Sequence, residues 1–390
     1  MKRILVIGGG IAGTAAALAL HKAGFDAAVH EAHPDTAEDI GAFLTLASNG
    51  MRALAQLDAS DAVTSVGFPL SSMRLLDDRG DEVAHAPLGE AGDALLRYRC
   101  LRRGALNAAL QAEVTRRGIG LSHGARLVSI ENGPDRVTAR FADGSAATGD
   151  LLIGADGLNS TVRRSIAPDV RPVYAGQRVF YGYARCAPAA EDTGHITMVR
   201  GGPAAFGYAV SPEKETYWFA RVAGEALSAD ELAPRTPSPW RRQLVELLRE
   251  DATLAADIVA ASSDGIMVTN ATEIPLGTPW RSGRTILIGD AAHAASPATG
   301  QGASMALEDA VILAKSLRDA PDVASAFTVY EACRRPRVEH NITVSGQISR
   351  GTRAPSRTGP AATTPRPGDD TLVAQLEWDT DIRTVAGSTD

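Results

Sequence analysis

The chain has 390 residues, 44% of them hydrophobic and 22% charged, with a formal charge of −7. That length exceeds one small core and fits two closely joined domains with extras. The acidic balance argues against broad nucleic-acid binding, which needs clustered Lys and Arg on phosphates. No segment supplies the roughly 20 consecutive apolar residues of a membrane helix.

Lys2-Arg3 and the apolar run to Leu20 imitate a secretory signal peptide, but Gly8, Gly9, Gly10 and Gly13 interrupt it. Cleavage after such a run would also remove the strongest nucleotide motif in the chain, so a cytoplasmic protein is expected. Cys100, Cys186 and Cys333 lie far apart without metal-ligand spacing and read as small, half-buried apolar residues.

Residues 3–7 read as a buried strand, 11–23 as a helix rich in Ala and Leu, and 26–32 as the next strand, a β-α-β unit. Gly8-x-Gly10-x-x-Gly13 falls between strand and helix. Gly8 permits the tight turn, Gly10 lets the backbone approach a pyrophosphate, and Gly13 allows close helix–strand packing. The helix start offers free N–H groups and partial positive charge to a diphosphate. Glu31, ending the second strand, is placed to bond ribose hydroxyls. A glycine-rich turn can serve packing alone, but strand, helix and acid are all present, which favours a dinucleotide. The motif does not separate FAD from NAD.

Further along, "NGMRALAQL" and residues 102–118 read as helices. Residues 125–156 read as a meander of short strands with Gly-Pro and Asp-Gly turns, returning to an apolar strand that ends at Asp156. In "GADGLNSTVRR" (154–164), Ser160 and Arg163 follow the Asp-Gly at helical spacing and can reach back to hold the turn; alone this is a structural loop. Between Arg171 and Val222 come four β-rich runs with concentrated Tyr, Phe and Trp. These predict a second, mainly antiparallel sheet and a substrate wall. By strand alternation Val179, Tyr181, Tyr183 and Arg185 share one face, and Phe206 shares a face with Tyr208. The alternative is that these aromatics are core.

Residues 240–261 predict one or two helices. "RTILIGDAA" is then a buried strand running into a glycine-rich turn and a helix, so the chain returns to the nucleotide domain. Asp290 can accept hydrogen bonds from sugar-like hydroxyls, and Pro297 stiffens the loop. Gly300 and Gly302 strip side chains from a turn whose helix start can present bare N–H donors. An ordinary glycine cap on a buried helix reads equally well until the motifs are combined. Residues 323–350 predict a closing helix, and 351–370, rich in Pro, Gly and Thr, read as a linker.

Taken in order, "GGGIAG", "RRGAL", "GADGLNSTVR" and "GDAAHAASPATGQGASMALEDA" resemble the class A flavoprotein monooxygenases, the para-hydroxybenzoate hydroxylase-like family, over about residues 3–345. The resemblance implies an α/β protein with a Rossmann-like FAD-binding domain, an inserted mainly antiparallel β-sheet substrate domain and a C-terminal helix. The expected division is an FAD domain of 1–70, 97–170 and 271–320, a substrate domain of 71–96 and 171–270, the helix 321–350, and a linker-like tail 351–390. It implies non-covalent FAD, with Asp290 on the ribityl chain and backbone N–H groups around Gly300, Gln301 and Gly302 at the ring. Arg103 would sit near the diphosphate, the Leu127 backbone near the adenine, and Asp156-Gly157 near FAD and NAD(P)H. Ala12, Pro297 and Ala303 complete the expected cofactor contacts, and Tyr181, Tyr183, Arg185, Phe206 and Tyr208 the expected substrate contacts.

The implied chemistry is reduction of the flavin by transiently bound NADH or NADPH, then reaction with O2 to a C4a-hydroperoxide that oxygenates an aromatic or polycyclic small molecule. A sheltered apolar pocket then matters more than a charged catalytic group. His293 is expected to have a local packing or hydrogen-bonding role. Many members carry Arg after the ribose-binding acid; here Ala32 stands there, with His33 as a substitute. The W-x-W-x-I-P signature of flavin halogenases is absent from the sequence. A flavin dehydrogenase or reductase without oxygen transfer, and a non-catalytic FAD-binding partner protein, are the alternatives.

Overall fold

In the computed structural model, the described residues are 2–36, 41–89, 93–185, 187–188, 193–233, 238–263, 265–352 and 369–386. The first strand, Arg3–Ile7, is buried from Ile4 onward and lies at the centre of a six-stranded sheet. It pairs in parallel with Asp26–His30 on one side and Leu151–Gly154 on the other. Thr285–Leu287 extends the sheet in parallel beyond Leu151–Gly154. Strands buried on both faces read as continuous apolar runs, which is why "ILVI", "LLIG" and "TIL" show no alternation. The helix Ile11–Lys22 and the long helix Gly302–Asp319 pack on each other and are almost wholly buried. Small residues on the first, six of its twelve being Ala or Gly, let the two axes approach.

The second sheet has seven strands in the order Met267–Glu273, Val173–Arg185, Glu215–Ala223, Ala205–Val210, His195–Arg200, Ser72–Leu76, Glu82–Pro87. All its pairings are antiparallel except His195–Arg200 with Ser72–Leu76. One face carries Phe180, Phe206, Tyr208 and Trp218 and is covered by the helices Trp240–Leu248 and Ala255–Ala260 through Leu244, Leu248, Ile258 and Val259. The other face turns toward the six-stranded sheet. A small three-stranded sheet of Phe43–Leu46, Tyr98–Arg102 and Phe68–Leu70 packs against it through Phe43, Phe68 and Tyr217. The closing helix runs from Val323 to Ser349.

The tail reading is corrected in part. Residues 369–376 and 382–386 form two helices rather than linker. Leu372, Leu376 and Ile382 join the main core, Lys315 Nζ donates to the Gln375 carbonyl (2.7 Å), and Trp378 N–H donates to Gln56 Oε1 (2.8 Å). Leu372 and Leu376 are one helical turn apart and bury one side of a helix of about two turns, enough signal to mark an element after a Pro-rich stretch. Cys100 and Cys333 are buried, and Cys186 lies outside the described residues. No helix among the described residues is long and apolar enough to cross a membrane.

Candidate functional site

The first glycine turn is sterically dictated. Gly8 has φ +104°, and a methyl group built there would lie 2.4 Å from the Ala155 carbonyl oxygen; one at Gly13 would lie 1.9 Å from the Gly8 oxygen. Gly10 is different: a methyl group there meets nothing within 4 Å. It precedes the helix Ile11–Lys22, whose start has neither a capping side chain nor an acid in its first turn. Glu31, one residue past its strand, takes N–H bonds from Gly9 (2.5 Å) and His33 (2.6 Å), and buried Gln111 donates to the Gly9 carbonyl (2.8 Å).

The late segment faces this turn across a cavity of about 370 Å³. Gly10, Ile11 and Ala12 line it on one side, and Asp290, Pro297, Gly300, Gly302 and Ala303 on another. Pro297–Thr299 is a short turn of 3₁₀ helix that ends at Gly300 with φ +65°. Thr299 Oγ1 ties it to Asn341 and Ser345 of the closing helix, both at 2.8 Å. The helix from Gly302 likewise begins without a capping side chain or early acid, and open space lies over Gly302.

Behind this segment is a buried charge network that sequence reading missed. Asp309 accepts from Gly289 N–H (2.8 Å) and from Arg334 Nε (2.7 Å), and pairs with His293 Nε2 (2.5 Å). Glu308 accepts from Arg334 Nη1 (2.6 Å), Arg337 Nε (3.0 Å) and Asn49 Nδ2 (2.5 Å). Burial alone would raise both carboxyls, yet Arg334 and Arg337 outweigh it at Glu308, and His293 and Arg334 at Asp309, holding each at about 2. The network fixes the turn at Gly289 and so the position of Asp290. His293 is thus a structural hydrogen-bonding residue, packed 5.5 Å from the Trp280 ring.

Asp156 was expected at the cofactor, but its carboxylate is engaged locally. It accepts from Ser160 Oγ (2.5 Å), Thr161 N–H (2.7 Å) and Val162 N–H (3.1 Å), capping the helix Thr161–Ile166. Burial raises its pKa against those bonds. Arg163 reaches back to the Leu158 carbonyl and across to the Ala291 carbonyl (2.9 Å), joining this turn to the late segment. Only Ala155 and Gly157 of the motif line the cavity.

The remaining wall comes from the seven-stranded sheet: Met73, Val179, Tyr181, Ile196, Met198, Phe219 and Arg221, closed by Phe43, Leu44 and Thr45. Burial pushes the Tyr181 hydroxyl up to about 12. Two of the five expected substrate residues are on the opposite side: Phe206 and Tyr208 lie in the core beneath the helices, beside Trp218. Gly182 does not open a path, because the Trp218 indole covers it; Gly207 faces the cavity side but lies under Phe219 and Met198. Tyr183 shares the cavity face yet stops short of the cavity, packed against Tyr217 and under the Arg102 guanidinium at 3.8 Å. Arg185 is solvent-exposed, 3.8 Å from Glu215.

Among the other expected cofactor residues, Arg103 starts the helix Arg103–Arg116 and lines the cavity. Gly8, Gly13, Glu31 and Leu127 lie outside it, with the Leu127 side chain in the main core. His33 does not line the cavity either; its ring is 2.9 Å from Asp35. The missed wall residue with the clearest signal is Arg221: in "TYWFARV" it alternates onto the same face as Tyr217 and Phe219.

Two uncapped helix starts, open space over both, and an acid between them suit a long ligand with an anionic middle and an acceptor-rich flat end. FAD has that shape and charge. A family model described as an FAD binding domain matches residues 1–345. The aurachin C monooxygenase/isomerase of Stigmatella aurantiaca is 31% identical over 356 residues, covering 88% of each chain. The 2-heptyl-3-hydroxy-4(1H)-quinolone synthase of Pseudomonas aeruginosa and the FAD-dependent urate hydroxylase of Klebsiella pneumoniae are each 32% identical, covering 86% of this chain and 86% of theirs. The crystal structure of Klebsiella pneumoniae HpxO with FAD and uric acid superposes with a TM-score of 0.80 at 27% identity, covering 99% of this chain and 95% of that one.

Proposed function

The chain belongs to the FAD-binding-domain family of class A flavoprotein monooxygenases, and we propose that this FAD-dependent monooxygenase uses NADH or NADPH and O2, in the cytoplasm, to oxygenate an aromatic or polycyclic small molecule. The observation that carries the reading is one cavity in which two bare helix starts meet a sulfur- and ring-lined sheet face. Relatives named for a quinolone and for urate support a ring-shaped substrate.

Bound FAD supplies the electron transfer from the nicotinamide and the activation of O2; the chain supplies position, charge and dryness. Gly10 and the start of Ile11–Lys22 would take the diphosphate, with Gly8 and Gly13 shaping the turn and Arg103 nearby. Glu31 would exchange its Gly9 contact for ribose hydroxyls, and the Leu127 backbone would border the adenine. Asp290 would accept from the ribityl hydroxyls. N–H groups from Gly300 to Gly302, with Pro297, Ala12 and Ala303 alongside, would meet the ring's acceptor edge and favour negative charge there. Tyr181, Phe219, Ile196, Met198 and Met73 would hold the substrate and exclude water. That wall is mostly apolar, which suits a reaction whose main demand on the protein is shelter.

The test is to purify the protein with its flavin, screen ring compounds for stimulated NADH and NADPH oxidation, and follow labelled O2 into product. Accelerated oxidation with about one oxygen atom incorporated per nicotinamide is expected. If no ring compound accelerates oxidation, the substrate reading fails; if neither nicotinamide reduces the flavin, the reductant reading fails.

A further inference from the structure

Arg221 is nine-tenths buried in the cavity wall, 9% exposed, in the middle of an antiparallel sheet. Its cross-strand neighbours are Val179 and Ala205, neither of which can answer a cation. Of its five N–H donors, one makes a long bond of 3.4 Å to the Ala298 carbonyl, and Nε has no partner. The Phe219 ring centroid lies 5.9 Å from the guanidinium, at the outer edge of a cation–π contact. It forms no ion pair among the described residues.

Other buried arginines are better satisfied, although Arg163 and Arg99 also leave Nε without a partner. Arg334 spends its guanidinium on Glu308 and Asp309. Arg163 and Arg99 each reach two backbone carbonyls. Burying a cation without an anion or a full set of acceptors is costly, and a leucine at 221 would complete the wall of Met73, Ile196, Met198 and Phe219 at no such cost. The guanidinium is therefore placed for something that enters the cavity.

Building on the proposed aromatic monooxygenase reading, we infer that Arg221 is a specificity residue that binds an anionic oxygen of the substrate. The preferred substrate class is a ring compound bearing a carboxylate or an ionised hydroxyl, its apolar part against Phe219 and Met198 and its charge on the guanidinium. Arg221 also touches the Ala298 loop that carries Pro297 and Gly300, so the flavin itself is the competing partner and must be separated by the test.

The experiment uses the FAD-loaded protein and two matched pairs followed by isothermal titration: quinoline-4-carboxylate against quinoline-4-carboxamide, and 4-nitrophenolate against 4-nitroanisole at mildly alkaline pH. One charged hydrogen-bonded contact corresponds to about ten- to hundredfold in affinity, so the anion of at least one pair should bind tighter by that factor. Which pair shows it distinguishes carboxylate from ionised hydroxyl. Arg221→Gln should abolish the preference while leaving the neutral compound's dissociation constant and the FAD dissociation constant unchanged, and Arg221→Lys should keep part of it. Equal, measurable affinity for both members of both pairs in the wild type overturns the role of Arg221 alone. So does a preference that survives in Arg221→Gln, or a variant that loses FAD while keeping the preference. Failure of every ring compound to bind overturns the aromatic reading and this inference with it. The wild-type comparison stands even if Arg221→Gln does not fold.

Discussion

Replacing Arg334 with methionine tests whether the buried network holds the late glycine segment. The guanidinium is 0% exposed and bridges Glu308 at 2.6 Å and Asp309 at 2.7 Å. In Arg334→Met, Glu308 keeps Arg337 and Asn49, but Asp309 keeps only His293 and one backbone N–H. Removing one partner of a buried pair costs about 3–5 kcal/mol, because the charge left behind stays buried. Unfolding entropy of about 2.1 cal/mol/K per residue gives roughly 0.8 kcal/mol/K for a chain of this length. The melting temperature should therefore fall by about 4–6 °C. Arg140→Met is the control, since Arg140 and its partner Glu131 are both exposed at 2.7 Å, and it should shift melting by no more than about 1 °C. Calorimetry on both variants, with FAD affinity measured on the same samples, reads the result. Because Asp309 anchors Gly289 next to Asp290, Arg334→Met should also weaken FAD. A variant that melts with the control and binds FAD like the wild type would refute the reasoning.

Asp290→Ala should fold normally and raise the FAD dissociation constant by about one to two decades, the loss of a charged hydrogen bond; fluorescence titration with an unchanged constant removes Asp290 from the site. Tyr208→Ala should cost on the order of 3–5 kcal/mol of stability without increasing the share of NAD(P)H released as hydrogen peroxide, because Tyr208 lies under the helices and not in the cavity. Tyr181→Ala, on the cavity wall, should raise that peroxide share by admitting water; peroxide and melting assays that come out the other way round would reverse the two faces of the sheet. Glu308 and Asp309 are held at about 2, below their ordinary values. Their contribution is complete above the unfolded carboxylate range near about pH 4.5 and is lost as pH falls toward 2, so acid release of FAD should fall in that window and move to higher pH in Arg334→Met.

The parts of the fold that were legible are those with local steric causes. Gly8 and Gly13 are glycines because a Cβ at either would strike backbone, and that requirement appears as a spacing in sequence. The apolar runs "ILVI" and "LLIG", short and ending at or just before a glycine, read as strands buried on both faces, and they are. The charge network was not legible, since Glu308 and Asp309 meet Arg334 from another helix, 25 or 26 positions away. Charged residues at such positions read as solvent-facing until the helices are packed. Asp156 shows the opposite case: an Asp ahead of a helix reads as a ligand in sequence, while here its oxygens accept from Ser160, Thr161 and Val162.

The substrate wall shows where alternation stops being informative. Alternation correctly separates Tyr181 from Phe180 and Tyr217 from Trp218, but it does not say which of two apolar faces meets helices and which meets the cavity. Both faces of this sheet are aromatic, and what decides between them lies elsewhere in the chain. Leu244, Leu248, Ile258 and Val259 claim the face of Phe206 and Tyr208, which leaves the other to Phe43 and the glycine segments. One residue does break the symmetry. A face packed by helices disfavours an unpaired charge at its centre, so the arginine in "TYWFARV" points to the face that opens onto the cavity. The cavity side could have been chosen from Arg221 before any packing was known. On the proposed reading, specificity in this chain would rest on residues at 73, 196, 198, 219 and 221, contributed by three strands far apart in sequence. They can vary without disturbing the glycine turns that the two helix starts require.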